Sequence, residues 1–158
     1  MPTLNPATFI PLPVRSEQGA HGHHPQVSAS GQNPHLELIG GESVVKALVD
    51  RFYHYMDTLP QAQGIRAMHP ADLTEVKRVL VLYMVEWMGG EQAYSAERGH
   101  PRLRMRHQRF PVASYERDAW LCCMRLALLD TVSNGDLRVA LEQKFFEIAD
   151  FLRNHPEP

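Results

Sequence analysis

The densest chemistry in this chain lies between Gly89 and Pro111, in the string GGEQAYSAERGHPRLRMRHQRFP. Arg98, Arg102, Arg104, Arg106 and Arg109 alternate there with His100 and His107. Clustered guanidiniums bind anions, and a neutral imidazole binds metals. Three readings fit the pattern: a grip on phosphate backbones, a plain solvated surface, or an anion site beside an imidazole ligand. The third has a specific geometry. Pro101 suits the first turn of a short helix, on which Arg106 and His107 would diverge by about 100°. One then faces inward while the other reaches the rim of a cavity. A haem asks for that arrangement: an imidazole for its iron, an apolar slot for its ring, and cations for its two carboxylates. On the opposite wall, Tyr53 and Trp120 each bring a polar tip to an apolar helix face, and such a tip needs a partner once buried. Tyr83 and His69 add a hydroxyl and an imidazole within reach of the same space.

Helical periodicity supplies the elements that must position these groups. Residues 43–57 place Val44, Leu48, Phe52 and Met56 on one stripe, with Val45, Val49 and Tyr53 beside it. Gly40-Gly41 precede that stretch, and Ser43 is its expected N-cap. Residues 72–88 stripe Leu73, Val76, Leu80, Tyr83, Met84 and Trp87, and Gly89-Gly90 stop them. A third helix opens at Ser114 with Trp120, Cys123, Met124, Ala127 and Leu128 on its face, and Ser133-Asn134-Gly135 closes it. A fourth runs from about 136 to 153 with Leu137, Leu141, Phe145, Ile148 and Leu152 inward. No alternating β-branched run is bounded by hairpin turns. The expectation is an all-α core of four principal helices with irregular connections over 59–70 and 89–111. The second is far longer than the roughly two to eight residues usual between packed helices.

The chain has 158 residues, 44% hydrophobic, with a formal net charge of −2, which bounds it to one domain. That balance gives no support to a nucleic-acid or membrane coat, and no apolar run approaches the roughly 20 residues of a bilayer span. Pro2, Pro6, Pro11, Pro13, Pro25 and Pro34 crowd a segment without apolar period, so residues 1–35 read as a flexible Pro/Gly/His-rich arm. Its His21, His23 and His24 read as a solvated tail, and residues 36–155 as the folded domain. The opening residues lack the basic head and apolar stretch of a signal peptide. Cys122 and Cys123 are adjacent, which excludes a disulfide scaffold and points to a reducing cytoplasm.

In IGGESVVKALVDRFY, MHPADL, EWMGG followed by Tyr94, RGHPRLRMRHQRFPV and ERDAWLCCM, the chain resembles the group II (O-type) truncated haemoglobins. The resemblance runs from about residue 40 to 120 and more weakly to 152. It implies a two-over-two helical sandwich, a shortened globin, around haem b. It also implies His107 as the proximal iron ligand and Arg106 as a propionate partner, with His100 and Tyr94 on the same edge. Lys77 and Arg78 fall near another propionate-pairing position, and Phe110, Val112 and Met124 are implied to line the haem. Tyr53 and Trp120 are implied to donate hydrogen bonds to the iron's ligand. His69 stands where relatives carry Tyr, His or Phe, Val76 stands where many globins place a distal histidine, and Leu80 is the next inward turn. The implied function is reversible binding of O2, NO and CO at a five-coordinate iron. The alternative is NO dioxygenation or peroxide reduction with an external reductase, because the chain has no flavin or nicotinamide fingerprint. No nucleic-acid or membrane partner is expected, and the assembly would be a monomer or homodimer.

Overall fold

The computed structural model describes residues 34–156. The arm read over 1–35, with His21, His23 and His24, lies outside the described residues except for Pro34 and His35, where the first helix begins. That helix, α1, spans His35–Ile39 and docks through the Leu36 N–H, which donates to the Met88 carbonyl at 3.0 Å. Gly40 (φ 112°) and Gly41 (φ 89°) then take up backbone conformations that other residues rarely adopt. Their N–H groups close α1 by donating to the carbonyls of Glu37 and Leu36. Helix α2 follows over Glu42–Thr58, so Gly41 rather than the expected Ser43 is its N-cap. The glycine's left-handed φ, and not a side-chain oxygen, sets the start.

The two connections read as irregular contain short helices. A 3-10 turn at Pro60–Ala62 leads into α3, Gln63–Ala67. Helix α5, Ala93–Arg98, and α6, Leu103–His107, occupy the stretch 89–111. Pro101 lies just before α6 and not in its first turn, because Arg102 at φ 46°, ψ 53° caps the helix and delays its start. Between these lies α4, Thr74–Trp87, whose opening is tied by Asp72 Oδ1 accepting from the N–H and Oγ1 of Thr74 at 2.9 and 2.7 Å. Helix α7 spans Ser114–Thr131, with Glu116 accepting from the Ala113 N–H at 2.9 Å. Helix α8 spans Gly135–Phe151, and its N-cap Asn134 accepts from the Leu137 N–H at 3.1 Å.

Helix α2 packs on both α4 and α7, and α7 on α8 across the short return at 132–134. Leu48, Phe52, Tyr53 and Met56 of α2, Leu80 and Met84 of α4, and Met124 and Leu128 of α7 are fully buried in the shared core. Each such side chain contributes about 1.5–3 kcal/mol relative to exposure. An aromatic chain crosses the layers. Phe52 lies 4.9 Å from Trp120, Trp120 5.8 Å from Phe145, and Phe145 5.0 Å from Trp87, between ring centroids. Helix α4 buries Val79, Val81 and Val85 as well as Val76, Leu80, Tyr83 and Met84 of its expected stripe, because both α2 and α5 pack against it, while Trp87 is only partly buried. Cys123 is in the core, whereas Cys122 is half-buried and accepts from Gln61 Nε2 at 3.7 Å. Among the described residues there is no strand, and no helix is long and apolar enough to cross a membrane.

Candidate functional site

Helix α6 carries one buried imidazole. His107 ends it, 6% exposed, and its Nδ1 lies 2.7 Å from the Leu103 carbonyl one turn back. A carbonyl only accepts, so Nδ1 carries the proton and Nε2 carries the lone pair, the tautomer a metal needs. Burial holds the ring neutral by lowering its pKa, and the Leu103 bond opposes that only partly. Asn154, beyond the end of α8, fixes this segment from outside. Its Nδ2 donates to the carbonyls of His107 and Phe110 at 3.1 and 2.9 Å, and its Oδ1 accepts from the Val112 N–H at 2.9 Å. Its own N–H donates to the Val112 carbonyl at 2.8 Å. A cavity of about 50 Å³ with a mostly apolar surface opens beside His107, walled by Ile65, Met68, Phe110, Val112, Trp120 and Leu152, with Glu116 and Arg117 also lining it.

Across the core, Tyr53 is completely buried and its hydroxyl has no hydrogen-bond partner among the described residues. Burial pushes its phenol far above the ordinary tyrosine range, so it stays a donor. The ring of His69 meets that of Tyr53 edge-on at 5.6 Å. His69 repeats the state of His107: 5% exposed, with Nδ1 2.8 Å from the Ile65 carbonyl, which again leaves the lone pair on Nε2. Burial lowers its pKa to about 4, with the Ile65 bond opposing and Arg66 and His107 adding smaller depressions. Arg66 anchors the connection that carries His69. It donates to Asp57 at 2.5 Å and to the carbonyls of Pro70 and Ala71 at 2.9 and 3.1 Å. Val76 and Leu80 are fully buried apolar walls on α4.

A third group gathers where α5 meets α4. Tyr94 is fully buried, its ring 5.4 Å from that of Tyr83, and its hydroxyl has no partner among the described residues. The Nε of Arg106 is likewise buried and unpartnered. Burial raises the Tyr94 phenol, and the nearby charges of Arg106 and Arg98 counter that rise. The remaining predicted residues sit elsewhere. His100 is exposed, its Nδ1 accepting from the Arg102 N–H at 3.2 Å. Lys77 pairs with Asp50 at 3.3 Å, and Arg78 with Glu75 and Glu97 at 2.6 and 3.0 Å, all at the surface. Met124 lines a groove between α7 and α8, with Leu121 and Phe146, and not the cavity beside His107. Sequence reasoning did not single out Asn154, Arg66, Ile65 or Met68. Their partners lie in other elements, and no periodicity marks them.

A family model described as bacterial-like globin matches residues 35–154. The group 2 truncated hemoglobin YjbI of Bacillus subtilis is 37% identical over 98 residues, 62% of this chain and 72% of that protein. The chain belongs to the group II truncated haemoglobins. This globin superposes on the group II 2-on-2 hemoglobin of Agrobacterium tumefaciens with a TM-score of 0.76 and 38% identity, over 82% of this chain and 100% of that one. It superposes on the truncated oxygen-avid haemoglobin of Bacillus subtilis with a TM-score of 0.69 and 35% identity, over 78% and 100% of the two chains. The fold is thus the two-over-two helical sandwich. The globin family implies haem, and the residues present fit it. A buried neutral imidazole holds its lone pair on Nε2, the wall beside it is mostly apolar, and the buried Arg106 Nε and Tyr94 hydroxyl await an acceptor and a partner. The cavity is narrower than the roughly 300–1,000 Å³ of a small-molecule site. A macrocycle would need wall residues such as Met68 to move aside.

Proposed function

We propose that this globin carries haem b on His107 and binds O2 reversibly, and NO and CO with it, at a five-coordinate iron. Haem, when bound to His107, would supply an iron atom able to take up a diatomic ligand. The observation that carries the reading is the Tyr53 hydroxyl, fully buried and without a hydrogen-bond partner among the described residues. A buried donor left unsatisfied costs about 1–3 kcal/mol, and a ligand that accepts from it recovers that cost. Trp120 lines the cavity beside His107 and brings an indole N–H as the second donor. His69, held neutral, keeps the pocket free of an added positive charge at neutral pH. Arg106 and Tyr94 would meet the haem carboxylates.

Hydrogen bonds to a charged acceptor contribute about 1.5–3 kcal/mol each, so two slow ligand release by roughly 10²–10⁴-fold. That makes a tight binder and a poor carrier, in keeping with a relative described as oxygen-avid. Two unbridged cysteines fit a reducing cytoplasm. Hemin titration of the wild type and His107→Ala tests the proximal assignment: a Soret band in the first and a lost or displaced one in the second is expected. Oxygen release from Tyr53→Phe and Trp120→Phe tests the distal one. No acceleration in either variant would remove the proposed donors.

A further inference from the structure

The arginines of this globin divide into two populations. Arg51, Arg66, Arg78, Arg117 and Arg153 each lie within 3.0 Å of a carboxylate. Arg98 and Arg125 each reach one at 3.8 Å. In contrast, apart from Arg138, whose guanidinium donates to the Val132 carbonyl, the described arginines with no carboxylate of the described residues within 4.0 Å are Arg102, Arg104, Arg106 and Arg109. These four fall within one short stretch around α6, in a chain whose net charge is −2. Arg106 turns its Nε inward, while Arg102, Arg104 and Arg109 are exposed. Two exposed apolar groups accompany them. Met105 is 57% exposed, and Phe151, also 57% exposed, lies under the Arg104 guanidinium at 4.9 Å.

We infer that this uncompensated cationic and apolar surface is the docking site for a small acidic one-electron carrier protein. The inference rests on the proposed haem at His107, since it is the shared helix α6 that puts the patch next to the iron's ligand. Ferric haem does not hold O2, so a haem oxidised in use must regain one electron. The sequence carries no GxGxxG dinucleotide fingerprint to supply it from within. The donor therefore gives one electron and leaves oxidised, and the ferric protein becomes ferrous. Electron-transfer encounters are small and transient, so a patch of three guanidiniums, a thioether and a phenyl ring is of suitable size. Unpaired surface charge also steers an oppositely charged partner over distance, raising association rates at low salt by orders of magnitude. A second copy of this chain is a poorer fit, because Asp57, Glu75, Glu97, Asp130 and Asp150 are engaged by its own arginines. Its exposed carboxylates outside ion pairs, among them Glu37, Glu91, Asp136 and Glu147, are spread over α1, the turn after α4 and the two ends of α8 rather than gathered in one patch. Nucleic acid is a poorer fit too, since α6, five residues long, is too short to lie in a groove.

The test is stopped-flow reduction of the full-length ferric holoprotein by an acidic flavodoxin in its hydroquinone state. The triple variant Arg102→Glu, Arg104→Glu, Arg109→Glu is compared with Lys46→Glu, Arg125→Glu, Lys144→Glu, which changes net charge equally at exposed positions elsewhere. The patch variant should slow the second-order rate by about tenfold or more at low ionic strength and flatten its salt dependence. The control variant should stay within about threefold of wild type. Photoreduced riboflavin, a small reductant with at most one negative charge and no docking surface, should reduce all three proteins within about threefold of one another. Equal slowing in both triple variants, or a wild-type rate in the patch variant, overturns the docking site. So does a DNA duplex that binds the wild type and not the patch variant while flavodoxin discriminates neither. Absence of a Soret band on hemin addition, recorded first, would instead sink the haem reading and this one with it.

Discussion

The side-chain amide of Asn154 donates to the main-chain carbonyl of His107, 3.1 Å away, from a position 47 residues later in the chain. The same amide also donates to Phe110, and its oxygen accepts from the Val112 N–H. A five-residue helix is too short to be stable by itself. The tail that follows α8 therefore holds α6 and its imidazole in place.

Asn154→Ala removes those three side-chain bonds and the contact of its oxygen with the His155 ring, leaving the backbone pairing of residues 154 and 155 to the Val112 carbonyl. The loss should be about 1–3 kcal/mol of stability, read as a lower urea midpoint with an unchanged slope. Because the slackened segment carries the imidazole, haem transfer to an excess of apomyoglobin should also quicken. An unchanged transfer rate would disconnect Asn154 from His107.

Tyr53→Phe should act in opposite directions on the two states of the protein. The haem-free polypeptide loses an unsatisfied buried hydroxyl and should gain on the order of 1 kcal/mol in stability. The haem-loaded protein loses a donor, and its oxygen should leave roughly 10–10²-fold faster. Urea unfolding of the apoprotein and oxygen release after ligand mixing measure the two separately. A destabilised apoprotein would mean the hydroxyl has a partner in solution.

His69 makes stability depend on pH. Its folded pKa, about 4, lies below the ordinary histidine value of 6.5, so the unfolded chain binds the proton more readily. Its contribution is therefore fully present above pH 6.5 and is lost as pH falls towards 4, at up to about 1.4 kcal/mol per pH unit. His107, depressed in the same direction, acts alongside it. In the haem-free protein, His69→Gln should flatten the slope of unfolding free energy between pH 6.5 and 4. An identical slope in the variant would contradict the burial argument.

Arg66→Ala should loosen the connection that carries His69. It breaks the bond to Asp57 and two bonds to the carbonyls of Pro70 and Ala71. With the side chain mostly shielded, a loss of about 1–2 kcal/mol is expected in urea unfolding. Faster hydrogen exchange confined to residues 68–73 would locate the effect.

The long helices were legible because burial at every third or fourth position follows directly from a helix lying on a core. Phe52, Leu80, Cys123 and Phe145 all turn inward as the period demands. Their starts were less so. A left-handed φ at Gly41 or Arg102 decides where α2 and α6 begin, and neither Ser43 nor Pro101 reveals it. Periodicity also says that Tyr53 is buried but not that its hydroxyl lacks a partner, which depends on every neighbour. Lys77 and Arg78 were ambiguous for the same reason, since their acidic partners Asp50 and Glu97 come from other helices. Asn154 left no signal, being one polar residue whose partners lie 42 to 47 positions back.

The two adjacent sulfurs on α7 have unequal fates. Cys123 is sealed in the core, where burial pushes its thiol up to about 12, while Cys122 remains half-accessible beside Gln61. A maleimide dye would consequently attach at one place without any engineering. That place adjoins the turn leading into α3 and on to His69, so the fluorophore would act as a native gauge of how that wall shifts when the pocket fills.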